Sequence, residues 1–253
     1  MNNLTILLYG DSKQGKSWTA DSAPGPRLLI ETEGRHRLTP SNKVVWDPRT
    51  PLPGITTDDT VVVIVRSFED FKLIHPVLAS GQHYFRSVII DGLTELQQRL
   101  IDNNVAGTAA LDLQDYGGIL RELSKEIRKY RDLRQNPHKE LEVFVCTAGE
   151  RERGKAGKIK PLVDGQIADR LSYHFDVVGY MQHKPNSAGT YDRVISIDGQ
   201  NPLYVSGSNW HAITEWYGKD IIVPDISTGR RIVEEMFNVI NQPGVAPLTE
   251  GEA

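Results

Sequence analysis

Short apolar runs alternate along this chain with polar segments in which hydrophobic residues recur every three or four positions. The runs at 4–9, 27–30, 61–65, 87–90, 141–147, 175–181 and 193–197 read as strands. The first five are apolar nearly throughout rather than at every second position, which predicts strands covered on both faces, as in a parallel sheet. Segment 67–79 opens on Ser67 with Asp70 three residues on, a helix start, and Pro76 predicts an interruption. Leu93, Leu96, Leu100 and Ile101 share one face of a second helix. From Asp115 onward Ile119, Leu120, Leu123, Ile127 and Tyr130 mark a longer one, ended by Asn136-Pro137. A last helix at 229–241 carries Ile232, Val233, Met236, Phe237 and Ile240.

Strands alternating with helices predict an α/β fold with a mainly parallel central sheet flanked by helices. Beyond Gly179 a turn at 184–190 followed by YDRVISID predicts an antiparallel addition. The expected organisation is one domain over 1–241, with a core at about 1–181 and a small C-terminal β/α extension over 182–241. A disordered tail is expected over 242–253.

Composition changes this picture little. The 253 residues are 39% hydrophobic and 25% charged with a net charge of −4, so any nucleic-acid role must rest on a local basic cluster. The single cysteine, Cys146, excludes an internal disulfide framework and a multi-cysteine zinc site, and reads as a buried hydrophobe. With no run of membrane-spanning length and no signal-peptide core, the expected location is cytoplasmic, with no membrane partner.

The chemistry starts where the first strand ends. GDSKQGKS at 10–17 fits G-x-x-x-x-G-K-[ST] between a predicted strand and a short helix, the context that pattern requires. Its glycines let backbone N–H groups curl around phosphate oxygens, and the helix start adds partial positive charge. Lys16 is placed for the β- and γ-phosphates of ATP and the Ser17 hydroxyl for Mg²⁺. The predicted nucleotide-binding set is Gly10, Asp11, Ser12, Lys13, Gln14, Gly15, Lys16, Ser17 and Trp18. In SVIIDG, a buried strand delivers Asp91 at its carboxyl end, where ligands of open α/β sheets gather, as the acid on the magnesium side. Many P-loop ATPases place a glutamate next to that aspartate; here Gly92 stands instead. Glu33, just past the strand at 27–30, is the preferred base for orienting water, with Glu31 a second candidate and Glu95, one turn into the following helix, a third. The strand at 61–65 between the two motifs reads as the extra strand of an additional-strand ATPase rather than a compact nucleoside kinase.

GDSKQGKS, LLIETEG, SVIIDGLTEL, QDYG and FVCTAGERER occur in an order that resembles RecA-like P-loop ATPases of bacteriophages, the group that includes Sak-type single-strand annealing recombinases. The resemblance spans about 4–181. It implies an ATPase with Lys16, Glu33 and Asp91 catalytic, Mg²⁺ on Ser17 and Asp91, and Thr147 sensing the γ-phosphate. Phage relatives often carry a histidine two residues after that threonine, where this chain has Gly149.

It also implies that the basic stretch with Arg151, Arg153, Lys155, Lys158 and Lys160 is a loop contacting single-stranded DNA. A solvated loop, or a finger reaching a neighbouring subunit's γ-phosphate, are the competing readings of those cations. The implied partners are single-stranded DNA, a single-strand-binding protein and further copies of the chain. The alternative functions are a nucleotide-gated DNA-binding or adaptor module without turnover, and a small-molecule kinase.

A second basic set, Arg128, Lys129, Arg131, Arg134 and Lys139, reads as cations at a helix end. His174, His183 and His211 are too scattered to suggest a metal site, and Trp210, Trp216, Tyr204 and Tyr217 read as core or subunit-contact aromatics.

Overall fold

The computed structural model describes residues 1–34, 39, 41–104, 113–151, 157–163, 171–224, 228 and 230–245; the part of the predicted tail beyond 245 lies outside them. A central sheet is built on seven parallel strands. In spatial order they are β3 (Lys43–Val45), β4 (Thr60–Ile64), β2 (Arg27–Glu31), β5 (Ser87–Asp91), β6 (Val143–Ala148), β1 (Leu4–Tyr9) and β9 (Val177–Pro185). Beyond β9 the sheet continues antiparallel through β10 (Tyr191–Ser196) and β12 (Asp220–Ile222), while β11 (Gly207–Ser208) pairs with the start of β9. A separate hairpin joins β7 (Glu150–Arg151) to β8 (Lys160–Pro161).

Every residue of β1, β2, β5 and β6 is buried, which is why these strands read as unbroken apolar runs. Successive residues serve opposite faces. Leu7, Ile30, Val63, Ile90 and Cys146 pack with α2 (Phe68–Lys72), α3 (Ile74–Ala79), α4 (Leu93–Asn104) and α5 (Leu113–Asp132). Leu8, Leu29, Val62, Ile89 and Val145 pack with α1 (Lys16–Ala20), α6 (His211–Tyr217) and α7 (Ile232–Ile240). Each fully buried Leu, Ile or Val contributes on the order of 2 kcal/mol by leaving water. Among the described residues no helix is long and apolar enough to cross a membrane.

Two expectations change. The helix at 67–79 starts on Ser67 with the expected capping box, but it divides at Leu73 rather than at Pro76. Proline's ring excludes the carbonyl four residues back, at Lys72, so the first helix stops there and Pro76 sits in the first turn of the second. The strand lying between β1 and β5 is β6, from far downstream, whereas β4 lies beyond β2. The motif strands are therefore separated by an extra strand, but not by the one their sequence spacing suggested.

Candidate functional site

The chain leaves β1 through Gly10, whose φ of 154° and whose contact with the Met181 carbonyl of β9 leave no room for a side chain. Lys13 takes φ 66°, a left-handed conformation costing a residue with a β-carbon about 1 kcal/mol. Lys16 then folds back over the loop, donating from Nζ to the carbonyls of Gly10 (2.8 Å) and Asp11 (2.7 Å). Burial lowers the pKa of its ammonium, and the carboxylates of Glu33, Asp91, Asp11 and Glu150 oppose that shift.

At the carboxyl edge Glu31, Asp91 and Thr147 stand in register across β2, β5 and β6, so their side chains leave the same face. Ser17 Oγ donates to Asp91 Oδ1 at 3.0 Å and Thr147 Oγ1 donates to the same oxygen at 2.6 Å. The Thr147 hydroxyl also accepts the Gly92 N–H at 2.9 Å. Burial pushes the Asp91 carboxyl above the usual carboxylate range; the Thr147 and Ser17 hydrogen bonds counter this and the charge of Glu31 adds to it.

Of the three candidate bases, only Glu33 faces the cleft. Glu31 is fully buried, and its Oε1 accepts the Glu33 backbone N–H at 2.7 Å. Glu95 pairs with Arg99 at 3.1 Å on α4. Gly92 explains the missing neighbour of Asp91. At φ 105°, a β-carbon there would collide with Thr32 Oγ1 and press on Cγ and Oε1 of Glu33. Thr32, with the Glu33 side chain beside it, already fills the space next to residue 92.

These groups surround a cleft of about 510 Å³, within the range of small-molecule sites. Of the predicted nucleotide-binding set, all but Gln14 line it, and Thr147 does too. Sequence reading missed Thr39, Thr94 and Leu162 as wall residues and gave Glu150 no role in it. None belongs to a recognisable pattern, and they arrive from a loop, a helix start and the hairpin.

The Thr94 hydroxyl donates to the Leu162 carbonyl (2.7 Å) and accepts the Gly149 N–H (3.1 Å), fastening both ends of the β7–β8 hairpin to α4. Of the predicted DNA contacts, Arg151 and Lys160 pair across that hairpin, Arg151 exposed and Lys160 half-buried. Lys158 is also half-buried, and Arg153 and Lys155 lie outside the described residues. In the second basic set Lys129 pairs with Glu126, Arg131 with Asp132 and Arg134 with Asp176. Trp210 and Tyr204 are core residues, whereas Trp216 is exposed.

A parallel α/β sheet carrying this loop, with an acid and two hydroxyls converging at its carboxyl edge, defines a P-loop nucleotide-binding domain of the ATPase type. More narrowly, the chain belongs to the AAA domain family, whose model matches residues 2–207. Among solved structures it is similar to a prototypical ATPase from the type III secretion system of pathogenic bacteria. That likeness has 14% identity and a TM-score of 0.45, over 72% of this chain and 52% of that one. The chain thus spans about half the length of the secretion ATPase. It is also similar to the flagellar accessory protein FlaH from Methanocaldococcus jannaschii, with 8% identity and a TM-score of 0.36, over 80% of this chain and 79% of that one. No curated protein matches the chain.

Proposed function

We propose that this protein is a Mg²⁺-dependent ATPase that acts on single-stranded DNA in phage recombination or annealing. The observation that carries the hydrolytic part is the placement of Glu33 in the cleft wall, against Gly92 and beside the Ser17–Asp91–Thr147 cluster. A hydroxyl and a desolvated carboxylate oxygen 3.0 Å apart are hard oxygen donors that suit Mg²⁺. Ser17 and Asp91 would hold the ion, which would supply neutralisation of charge on the phosphate oxygens.

Lys16 exchanges the Gly10 and Asp11 carbonyls for the β- and γ-phosphates. Glu33 accepts a hydrogen bond from water and aims it at the γ-phosphorus. Thr147, bonded to Asp91 and to the Gly92 N–H, registers whether the terminal phosphate is present. The DNA part is supported by the sequence resemblance and by the root of the basic hairpin, since Gly149, Glu150 and Leu162 line the cleft.

The test is ATP hydrolysis at low salt with and without single-stranded DNA, beside Lys16→Ala and Glu33→Ala. DNA-stimulated hydrolysis lost in both variants is expected. Hydrolysis that needs Lys16 but ignores DNA would remove the DNA role, and ATP binding without turnover would reduce the protein to a nucleotide-gated module.

A further inference from the structure

The sheet order gives the cleft a direction. Glu33, Asp91 and Thr147 follow β2, β5 and β6, all on one side of β1, and under the function proposed above, on which this inference rests, they mark the end of the terminal phosphate. A nucleotide extended from there across β1 runs its nucleoside end towards β9 and β10. Arg193 stands on that side of the phosphate-binding loop, behind Gly15 rather than in the wall of the cleft. It lies on β10 opposite His183, two residues beyond the Met181 whose carbonyl backs Gly10. Its side chain leaves the sheet on the face of Ile195, which packs with Leu8 and Ala20 on the side that α1 covers.

The Arg193 guanidinium is pressed against the phosphate-binding loop. A β-carbon on Gly15 would lie 2.9 Å from Cζ and 3.0 Å from Nε and Nη1. Other arginines of this structure answer to acids: Arg86 to Glu142, Arg99 to Glu95, Arg231 to Glu234 and Asp58. Among the described residues Arg193 has no acidic partner, and its Nε is buried without an acceptor. Withdrawing part of a guanidinium from water without a partner is unfavourable, and an anion arriving at the loop offsets that cost.

We propose that Arg193 is a nucleotide ligand whose guanidinium, now against Gly15, takes the α-phosphate on the β10 side of the phosphate-binding loop. The P-loop pattern does not reveal it because it comes from the antiparallel extension.

The test is calorimetric titration of the full chain with ATP, ADP and inorganic tripolyphosphate in Mg²⁺ at fixed ionic strength. It compares the parent, Arg193→Met, Arg193→Lys and a Lys16→Ala control. Methionine keeps an unbranched side chain against Gly15 without the charge. Arg193→Met is expected to weaken all three ligands by the same factor, about 10- to 100-fold, the worth of a charge-assisted hydrogen bond. Lysine should restore part of that loss as a point charge.

Unchanged ADP affinity, or a loss confined to ATP, would overturn the assignment by placing the cation at the γ-phosphate or nowhere. A loss for ATP and ADP with tripolyphosphate unaffected would move the contact to the nucleoside and overturn the phosphate assignment. A lowered melting temperature of unliganded Arg193→Met, with its affinities intact, would make Arg193 a support of the loop only. A parent protein that binds no nucleotide would sink the nucleotide site itself, whereas a parent that binds and an Arg193→Met that binds equally sinks Arg193 alone.

Discussion

Replacing Gly92 with alanine tests whether the empty side-chain position beside Asp91 is what seats Glu33. Gly92 has φ 105°, which costs a residue with a β-carbon about 1–2 kcal/mol. An added β-carbon would lie 2.4 Å from Thr32 Oγ1 and 3.0 and 3.1 Å from Cγ and Oε1 of Glu33. Ordinary contact begins at 3.4 Å, so Thr32 must retreat by about 1 Å and Glu33 by a few tenths. That retreat breaks the hydrogen bond the Thr32 hydroxyl shares between the carbonyls of Asp91 (2.9 Å) and Gly92 (3.0 Å). At about 1 kcal/mol for this one shared, bifurcated hydrogen bond, with the backbone cost added, Gly92→Ala loses roughly 2–3 kcal/mol of stability. Because misplacing a reacting group by about 1 Å costs on the order of 100-fold, a shift of Glu33 by a few tenths should lower kcat by about 3- to 10-fold. ATP affinity, set by the loop after β1, should stay near that of the parent. Steady-state hydrolysis, ATP titration and thermal melting separate these effects. The decisive comparison is the double variant: if Gly92→Ala acts by displacing Glu33, it adds little to the kcat loss of Glu33→Ala. Hydrolysis at the parent rate in Gly92→Ala, or an equal further loss in the Glu33→Ala background, refutes the reasoning.

Because burial holds the Asp91 carboxyl above its unfolded value, the folded chain binds that proton more tightly. The unliganded fold therefore loses stability as pH rises from the ordinary carboxylate range through the raised value. Asp91→Asn should remove that loss, giving a melting temperature at pH 7 no lower than the parent's while abolishing the extra rise produced by Mg²⁺-ATP; melts across pH with and without Mg²⁺-ATP check both. His83 behaves oppositely. Burial, reinforced by the charge of Lys139, lowers its pKa from 6.5 to about 4, so the stability tied to its neutral form is complete above 6.5 and lost as pH falls towards 4. His83→Gln should flatten that acid limb in a pH series of thermal melts.

The parts of the fold legible in the sequence were those whose burial leaves a local signature. Both faces of β1, β2, β4, β5 and β6 are covered, so composition alone marks them. The Ser67–Asp70 capping box fixes a helix start within four residues. Elements that bury little were invisible. β3 is three residues, none of them buried, at the sheet's edge, and α6 fully buries only Ile213, too little for a periodic stripe. The glycine-rich loop was legible because its spacing is a chemical requirement. The filling of residue 92's space by Thr32 and Glu33 was not, because it joins residues far apart in sequence that meet only when β2 and β5 pair.

The same non-local pairing ties the basic hairpin to the cleft. Thr147, bonded to Asp91, lies three residues before Glu150, where the hairpin begins. A shift of Thr147 must pass through Gly149 or be absorbed there. Yet Gly149 has its N–H on Thr94 Oγ1 and its carbonyl on the Leu162 N–H, at 3.1 and 2.8 Å, so free rotation would break two bonds. The returning strand is pinned as well. Ile159 exchanges backbone hydrogen bonds with Leu203 and Val205, and the hydroxyl of Tyr9, the last residue before the phosphate loop, bonds the carbonyls of Ile159 and Val205. One end of the cationic segment is thus fastened to α4, which follows the Asp91 strand, and the other to β1, which leads into the phosphate loop. Under the function proposed above, that fastening is what would link the charges of the segment to the nucleotide site.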